Sequence, residues 1–471
     1  MKDILKIAWR NLWRNKRRTI ITVSSIFFAV FFAVLMRSFQ LGTYGFMIEQ
    51  SIESYTGYLQ IQNPEYFDDP TIDNAFELSD TLLQKVEEVP NVSNVVPRLE
   101  YGALASSGNL SKGVIVSGIS PEAERNVSNP YHRLVKYAFT PETVGKLKSS
   151  RLFPADIMAE IDSLKGKSYA TTARIEMDLG FNKNESAKYI PAIEKLASFD
   201  SGYLEENDQG ILVSDRLAQF LKVSVGDTIV LMGQGYHGSS AAGLFPIRGI
   251  VQISSPDLDN KLIYMSLPAA ENYFGMQGQV TSAVIQLKDN DQMGQTQKAI
   301  SKILNPKDHV VKNWEEITPV LKQQIEGDNV SGQAFVFILY LIVFFGIAGT
   351  VLMMLNERKR EYAVMIAVGM GRMRLALISM VEIIIVGFLG IISGMLAVSP
   401  IMVYFHYNPI RFTGSLAQMY EDMGYEPFMP MALFHSYFFM QGLVVLIMIL
   451  LVCIIPLRNI WKLDVIKDLR H

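Results

Sequence analysis

Apolar residues in this chain gather at its two ends. One run, Ile20–Phe39, lies near the start, and three more, Gln333–Leu355, Leu375–Phe405 and Ala432–Ile455, lie near the end. Each is long enough, as helix, to cross a hydrocarbon core, which takes about 20 residues. The runs hold almost no charge: only Arg37 near the end of the first and Glu382 early in the third. The long stretch from Gln40 to Gly332 has ordinary soluble composition. The pattern predicts a membrane protein with four transmembrane α-helices, one N-terminal and three C-terminal. A large α+β extracytoplasmic domain is inserted after the first. This layout excludes most soluble enzymes.

Within the insert, Thr56–Gln62 alternates like a strand. Leu78–Val89 has a helical pattern, with Ser79 as N-cap and Pro90-Asn91 as a stop. Val92–Ala105 and Lys112–Gly118 read as strands around the turn Ser107-Gly108-Asn109. Gly210–Leu221 reads as a short strand and helix, and Val223–Leu231 as a turn and strand. Pro246–Ile253, Lys261–Ser266, Thr281–Leu287 and His309–Asn313 are strand candidates, and Met293–Leu304 a helix. Strand–helix–strand pieces thus bracket a more β-rich middle, an α+β arrangement. Tyr131–Asp208 is polar with helical patterns such as Pro154–Leu164 and Ala187–Ala197, and reads as a helical insertion.

Charge sets the orientation. Lys2, Lys6, Arg10, Arg14, Lys16, Arg17 and Arg18 precede the first run, opposed only by Asp3. Arg358, Lys359, Arg360, Arg372 and Arg374 separate the second and third, and Arg458, Lys462, Lys467 and Arg470 follow the fourth. The loop His406–Met431 carries Arg411 against Glu421, Asp422 and Glu426. With four spans the basic segments share one face, which the positive-inside rule places in the cytosol. The first run is long, and Arg37-Ser38-Phe39-Gln40 offers no small-residue cleavage site, so it reads as an uncleaved anchor.

A net charge of −3 suggests no nucleic-acid partner. The single cysteine, Cys453, lies in the fourth run, so the external domain has no disulfide. It is long enough to fold on its own core. The sequence has no paired Cys/His metal set, no Gly-x-x-x-x-Gly-Lys-Ser/Thr phosphate loop, and no catalytic constellation around His132, His237 or His309. No metal is expected, and no cofactor bound by this chain.

Two cytosolic elements look built for contacts. In Ile4–Arg18, residues Ile4, Ile7, Ala8, Leu12 and Trp9 or Trp13 share a helical face among arginines and lysines, the pattern either of a helix at a membrane surface or of a plain positive-inside anchor. In Asn356–Met370 a charged turn leads into a short apolar helix ending at Gly369. It is too apolar for a loose loop and too short to span. It either docks into a partner or lies at the membrane surface.

The series Glu357-Arg358-x-Arg360-Glu361-x-Ala363-x-Met365-x-Ala367-x-Gly369-Met370, followed by Glu382, Gly387, Gly390 and Gly394 in an apolar span, resembles the permease domain of ABC transporters of the FtsX, MacB and lipoprotein-releasing group. The tail Pro456–Arg470 and the start Ala8–Thr19 are similar to the same group's two ends. Thr56–Ile61, Val116–Pro121, Leu217-Ala218 and Val223–Asp227 resemble its lipoprotein-releasing branch. The resemblance is weakest over Tyr131–Asp208.

The resemblance implies a division into a cytosolic amphipathic helix (1–19), a first span (20–41), and a periplasmic α+β domain (42–330) with a MacB-like core and a helical insertion at about 131–208. An FtsX-like permease domain (331–471) follows, with spans at 333–355, 375–405 and 432–456. It also implies a multi-pass protein of the bacterial inner membrane and a non-catalytic permease subunit. Its expected partners are a dimer of separate ATPase subunits carrying ATP-Mg, a second permease chain (identical or paralogous), membrane lipids, a lipoprotein substrate and a periplasmic carrier. Lipoproteins would be extracted from the outer leaflet. The alternatives are an FtsX-like mechanotransmitter controlling cell-wall hydrolases, and a MacB-like efflux permease. ATPase coupling would fall to Glu357, Arg358, Arg360, Glu361, Val364, Met365 and Gly369. Phe28, Phe32, Met36, Phe335 and Leu339 are candidates for a substrate cavity. Glu382 lies within about two turns of its span's cytosolic end, so a bond between helices fits it better than an ion pathway.

The topology is testable with an impermeant thiol reagent on spheroplasts. A cysteine in the insert, such as Ser201→Cys, is expected to label in intact cells. Labelling only after lysis would overturn the orientation.

Overall fold

The computed structural model describes residues 2–14, 16–253, 255–412, 415–422 and 427–464. The chain divides into two compact units: residues 1–46, 320–412 and 428–471, and residues 47–319 with 413–427.

Among the described residues, the first unit holds four helices long and apolar enough to cross a membrane: Lys16–Ile48, Pro319–Glu357, Arg372–Tyr407 and Ser436–Trp461. The first three outrun their apolar runs, because the helical ladder needs backbone N–H groups rather than apolar side chains. Pro319 opens the second span, where its missing N–H costs nothing. The fourth is interrupted at Cys453, ahead of Pro456, which cannot donate back to the preceding turn.

The third span is the most buried of the four. Its inner face is Leu375, Ser379, Glu382, Ile383, Val386, Gly387, Gly390 and Gly394. A Cβ at Gly387 would stand 2.5 Å from Ile449, one at Gly390 2.6 Å from Ile26, and one at Gly394 2.9 Å from the Phe27 carbonyl. The glycines therefore let the first and fourth spans approach its backbone, the usual device for packing helices in lipid. Polar groups in the bundle are satisfied between helices. Ser38 donates to the Ala432 carbonyl at 2.7 Å, and Tyr340 to Gln441. Arg37, the charge in the first run, donates to Asn329 on the second span at 2.7 Å.

The second unit is built on a mixed nine-stranded sheet. Its strands are β1 (Leu59–Gln62), β2 (Val92–Ser107), β3 (Leu110–Ile119), β4 (Ile211–Ser214), β5 (Thr228–Gln234), β6 (Ser240–Val251), β7 (Leu262–Ser266), β8 (Ser282–Leu287) and β9 (Val310–Asn313). The order is β9-β1-β8-β2-β3-β7-β4-β6-β5, and β5 pairs back onto β2. Six strands thus close into a ring, which removes the exposed edge that β5 would otherwise present. β3–β7 and β4–β6 are parallel pairs. The ring encloses Leu99, Val116, Val213, Leu231, Ile263 and Met265. Beside it, Leu59, Ile61, Val86, Ile285, Ile300 and Val311 form a second core under helices Asp80–Glu87 and Met293–Ser301. Ser79 caps the first of these helices, accepting from Leu82 N.

A buried ion pair ties the sheet to the segment that enters it. Arg98 on β2 is wholly buried and donates to Glu124 at 2.5 and 3.2 Å. It also donates to the Tyr55 carbonyl in the π-helical turn Glu49–Thr56. Ser128 completes the Glu124 carboxylate at 2.6 Å.

Residues 137–197 carry four helices, Pro141–Ser149, Ala155–Ser163, Thr172–Asp178 and Lys183–Leu196. They surround a separate core of Phe139, Leu147, Ile161, Ile175, Tyr189 and Ile193. Asn182 and Glu185 form a capping box at the last helix.

Two elements escape the sequence pattern. The first half of β6, Ser240–Leu244, is small and Gly-containing and looks like a loop; its extended form comes from pairing with β5. Helix Leu267–Phe274 was signalled by Ser266, which caps it, Pro268 in its first turn and Gly275 at φ +73° just after it. Part of the tail resemblance, 465–470, lies outside the described residues, as does the Ile4 side chain. Ser201 is half-buried, its hydroxyl accepting from Ile250 N, so the exposed Ser149 is the better labelling position.

Because the 137–197 core is separate, Phe139→Ala should cost about 3–5 kcal/mol locally. Hydrogen exchange should rise across Pro141–Leu196 and stay unchanged in β3. Equal loss of protection in β3 would show that the two cores unfold together.

Candidate coupling site

At the basic end of the first unit, three pieces of chain meet: helix Lys2–Arg14, the turn after the second span, and the start of the third. The N-terminal helix splits its apolar residues between two faces. Ala8 and Leu12 are buried, while Ile7, Trp9 and Trp13 are exposed. The single apolar face expected for Ile4–Leu12 with the tryptophans is therefore corrected: the bundle takes the smaller residues and leaves the indoles outside. Asn11 lies beside the buried pair and donates to Glu382 Oε1 at 2.5 Å.

Arg358, between the second span and helix Lys359–Ala367, donates to Glu382 Oε2 at 2.7 Å and to the Asn11 carbonyl at 3.5 Å. Arg358 is 7% exposed and Glu382 2%. The carboxylate thus has a donor on each oxygen, as a buried charge requires. Glu382 makes the expected bond between helices. Arg358 does not face outward as a partner-facing charge would; it is spent on the fold. The turn is braced again by Arg14, which donates to Glu361 at 2.5 Å, and Arg18, which pairs with Glu357. These carboxylates are about half exposed. Exposed pairs of this kind are weak because water screens them, so both stay open to exchange partners.

Helix Lys359–Ala367 packs Tyr362 and Ala363 inward, with the Tyr362 hydroxyl 3.2 Å from Ser379 Oγ. Met365 is half-buried against the bundle core. It ends in a left-handed cap: Gly369 has φ +100°, its N–H reaches the Ile366 carbonyl, and Met370 N reaches the Met365 carbonyl. Glycine is favoured there because a Cβ strains that backbone. The outward face is Arg360, Val364, Ala367 and Val368, with Val368 84% exposed. Spacings of three and four put these on one stripe. Val368 escaped the sequence reading, although its place just before a capping glycine marks it as the residue that ends the helix as its C-cap.

The cavity candidates do not form one site. Phe28, Phe32 and Met36 make an exposed stripe along the first span, and Phe335 is exposed on the second, while Leu339 packs against the bundle core.

The second unit has a polar cleft of about 560 Å³ lined by Lys167, Arg174, Asp178, Asp215, Gln252 and Asp259. Asp259 accepts from the backbone of Asp215, Arg216 and Ile253 at 2.9–3.3 Å, so it caps helix Asp215–Leu221. Burial pushes its carboxyl up to about 7 against the pull of those donors, and also raises Asp215. That arrangement holds a helix end in place.

Among the described residues, four helices long and apolar enough to cross a membrane, a cross helix braced against one end of the bundle and a large inserted sheet domain make up the chain. Residues 334–465 match the FtsX-like permease C-terminal family, and residues 166–303 the MacB-like periplasmic core domain. The chain belongs to the FtsX/MacB/LolC-like family of ABC-transporter permeases. It is 19% and 18% identical, over 220 and 222 residues, to the lipoprotein-releasing system transmembrane protein LolC of two Xylella fastidiosa strains. Those matches cover 46% of this chain and 52–53% of the relatives, so the chain spans about half the length of the curated relatives it matches. Among solved structures, the extracellular domain of the noncanonic ABC-type transporter YknZ from Gram-positive bacteria is similar, with a TM-score of 0.28 and 13% identity, over 54% of this chain and 99% of that one. The periplasmic region of MacB from Actinobacillus actinomycetemcomitans gives a TM-score of 0.31 and 12% identity, over 59% and 95%.

Removing one member of the buried pair, by Arg358→Ala or Glu382→Ala, should cost about 3–5 kcal/mol and lower the melting temperature of the purified chain. Arg358→Met with Glu382→Leu should recover most of that loss. Glu361→Ala should cost no more than about 1 kcal/mol. Equal effects for Glu361→Ala and Glu382→Ala would contradict this hierarchy.

Proposed function

We propose that this permease works with a dimer of separate ATPase subunits that grip the face Arg360, Val364, Ala367 and Val368, with Glu357 and Glu361 at its rim. The observation that carries this is the helix Lys359–Ala367. Its inner face is locked by Arg358–Glu382 and Tyr362–Ser379, and an apolar stripe is left outward. A helix braced in this way passes a push to the third span instead of bending. ATP-Mg binds and is hydrolysed on the partner, and closure of the ATPase pair tilts the spans of two permease chains. The proposed setting is the bacterial inner membrane, with the inserted domain in the periplasm.

The proposed substrate is a lipoprotein, lifted from the outer leaflet and passed to a periplasmic carrier. Two observations support this choice over an FtsX-like transmitter or a MacB-like exporter. Both curated relatives are named for lipoprotein release. The segments Thr56–Ile61 and Val116–Pro121 resemble the same branch, and lie in and around β1 and at the end of β3.

Val364→Asp with Val368→Asp places charges in the proposed interface. Co-purification of the ATPase should weaken at least about tenfold, about 1.4 kcal/mol, with the melting temperature of the chain unchanged. Undiminished co-purification would remove this face from the interface. Release of a fluorescent lipoprotein from proteoliposomes should fall in parallel. A wild-type complex that hydrolyses ATP but releases no lipoprotein, even with its carrier, would favour the transmitter.

A further inference from the structure

The cleft of about 560 Å³ in the second unit lies where the helical insertion meets the ring. One wall comes from the insertion and carries Lys167, Arg174 and Asp178. The other carries Arg216, Gln219 and Phe220 on helix Asp215–Leu221, with Gln252 just after β6. Its volume is that of a ligand pocket, which runs about 300–1,000 Å³. The two walls rest on different cores, the insertion's around Phe139 and Ile193 and the ring's around Val213 and Leu217.

The carboxylates of the cleft are committed to the fold. Asp259 takes three backbone N–H donors. Asp215 is buried and accepts from Gln219 Nε2 at 3.2 Å. Asp178 accepts from the Tyr169 hydroxyl at 2.8 Å. The cations, in contrast, reach solvent. Lys167 stands 3.6 Å from Asp178 with its side chain 55% exposed, and Arg216 stands 4.0 Å from Asp259 with its side chain 37% exposed. A guanidinium carries five N–H donors, more than one carboxylate can take. Lys112 adds positive charge beside the cleft: its ammonium lies 4.5 Å from the centre of the Phe220 ring and donates to Asn260. The opening therefore presents donors and positive charge from both walls.

We propose that this cleft binds a short acidic peptide segment of a partner protein. Side-chain carboxylates of the segment meet Lys167, Arg174 and Arg216. Its backbone N–H groups donate to the side-chain carbonyls of Gln219 and Gln252, whose own amide N–H groups already hold Asp215 and the Ser168 carbonyl. An apolar side chain lies on Phe220, which is 45% exposed. The choice of occupant rests on these features together. A single phosphate or sulfate would leave most of the volume empty. Cations on two walls suit several carboxylates carried by one chain, and charge-assisted bonds of this kind are the strong ones. An exposed ring at the rim suits a segment that mixes acidic and apolar side chains. A segment bound in this way bridges the two walls and fastens the insertion to the ring. The proposal rests on the cleft alone and holds whether or not the chain releases lipoproteins.

The test uses the full chain, purified in detergent and titrated at low salt with the capped peptide Glu-Leu-Glu-Glu. The wild type is expected to bind one peptide per chain, with hydrogen exchange slowed across helix Thr172–Asp178. Arg174→Gln with Arg216→Gln should weaken binding at least about tenfold, as the loss of hydrogen bonds to a charged group implies. Gln219→Trp obstructs the cleft and leaves every cation in place, so it should weaken binding similarly with the melting temperature retained. Capped Lys-Leu-Lys-Lys should not bind, and citrate should fail to displace the acidic peptide. No binding of the acidic peptide by the wild type at millimolar concentration would overturn the proposal. So would wild-type affinity in both variants, or equal binding of the basic peptide. Displacement by citrate would make this a free-anion site, and tighter binding of digalacturonate would make it a site for acidic saccharides; either result overturns the peptide reading. Should the double arginine variant fail to fold, Gln219→Trp decides alone.

Discussion

The membrane unit depends on one buried charge. Glu382 stands on the most buried span, where an unpaired carboxylate would be prohibitively expensive. Its two oxygens must therefore be met, and the groups that meet them come from different pieces of chain: Asn11 from the N-terminal helix and Arg358 from the turn after the second span. Satisfying one carboxylate thus fixes three elements at once. Hydrophobic packing alone would let the N-terminal helix and the cross helix slide, because apolar contacts are non-directional. The ion pair adds direction, and helix Lys359–Ala367 inherits a defined pose from it.

The soluble unit repeats the same logic at its entry. Arg98 is wholly buried, and Glu124, Ser128 and the Tyr55 carbonyl satisfy the pair. The segment arriving from the first span is held to the sheet by an arginine that has no cheaper alternative. Closure of the ring by β5 on β2 then makes the sheet a single body. The helices of 137–197 keep a core of their own and add nothing to the ring's interior.

Packing in the bundle works by close approach. Gly387, Gly390 and Gly394 bring neighbouring helices against the backbone of the third span, where any Cβ would collide. In lipid there is little hydrophobic gain from helix association, so contact area and a few polar bonds carry it. The outward residues of the first two spans, Phe28, Phe32 and Phe335 among them, take no part in this packing.

By itself the sequence determined the number and positions of the spans, because about 20 apolar residues in a row have few other fates. It also marked the inserted domain, most of its strands, and Glu382 as a group bonded between helices. These rest on local signals: run length, alternation, caps and the distance of a charge from a helix end. Tertiary structure decided which charges of the turn 356–370 face outward. Arg358 and Arg360 are equivalent in the sequence, two basic residues in one charged turn. The partner that turns Arg358 inward lies 24 positions away, and the one that engages Glu361 is 347 positions away. The same holds for the tryptophans of the N-terminal helix and for Ser240–Leu244, which is a strand only because β5 lies beside it. Helical spacing says which residues share a face. It does not say which face finds a partner, because that depends on contacts between segments far apart in the chain.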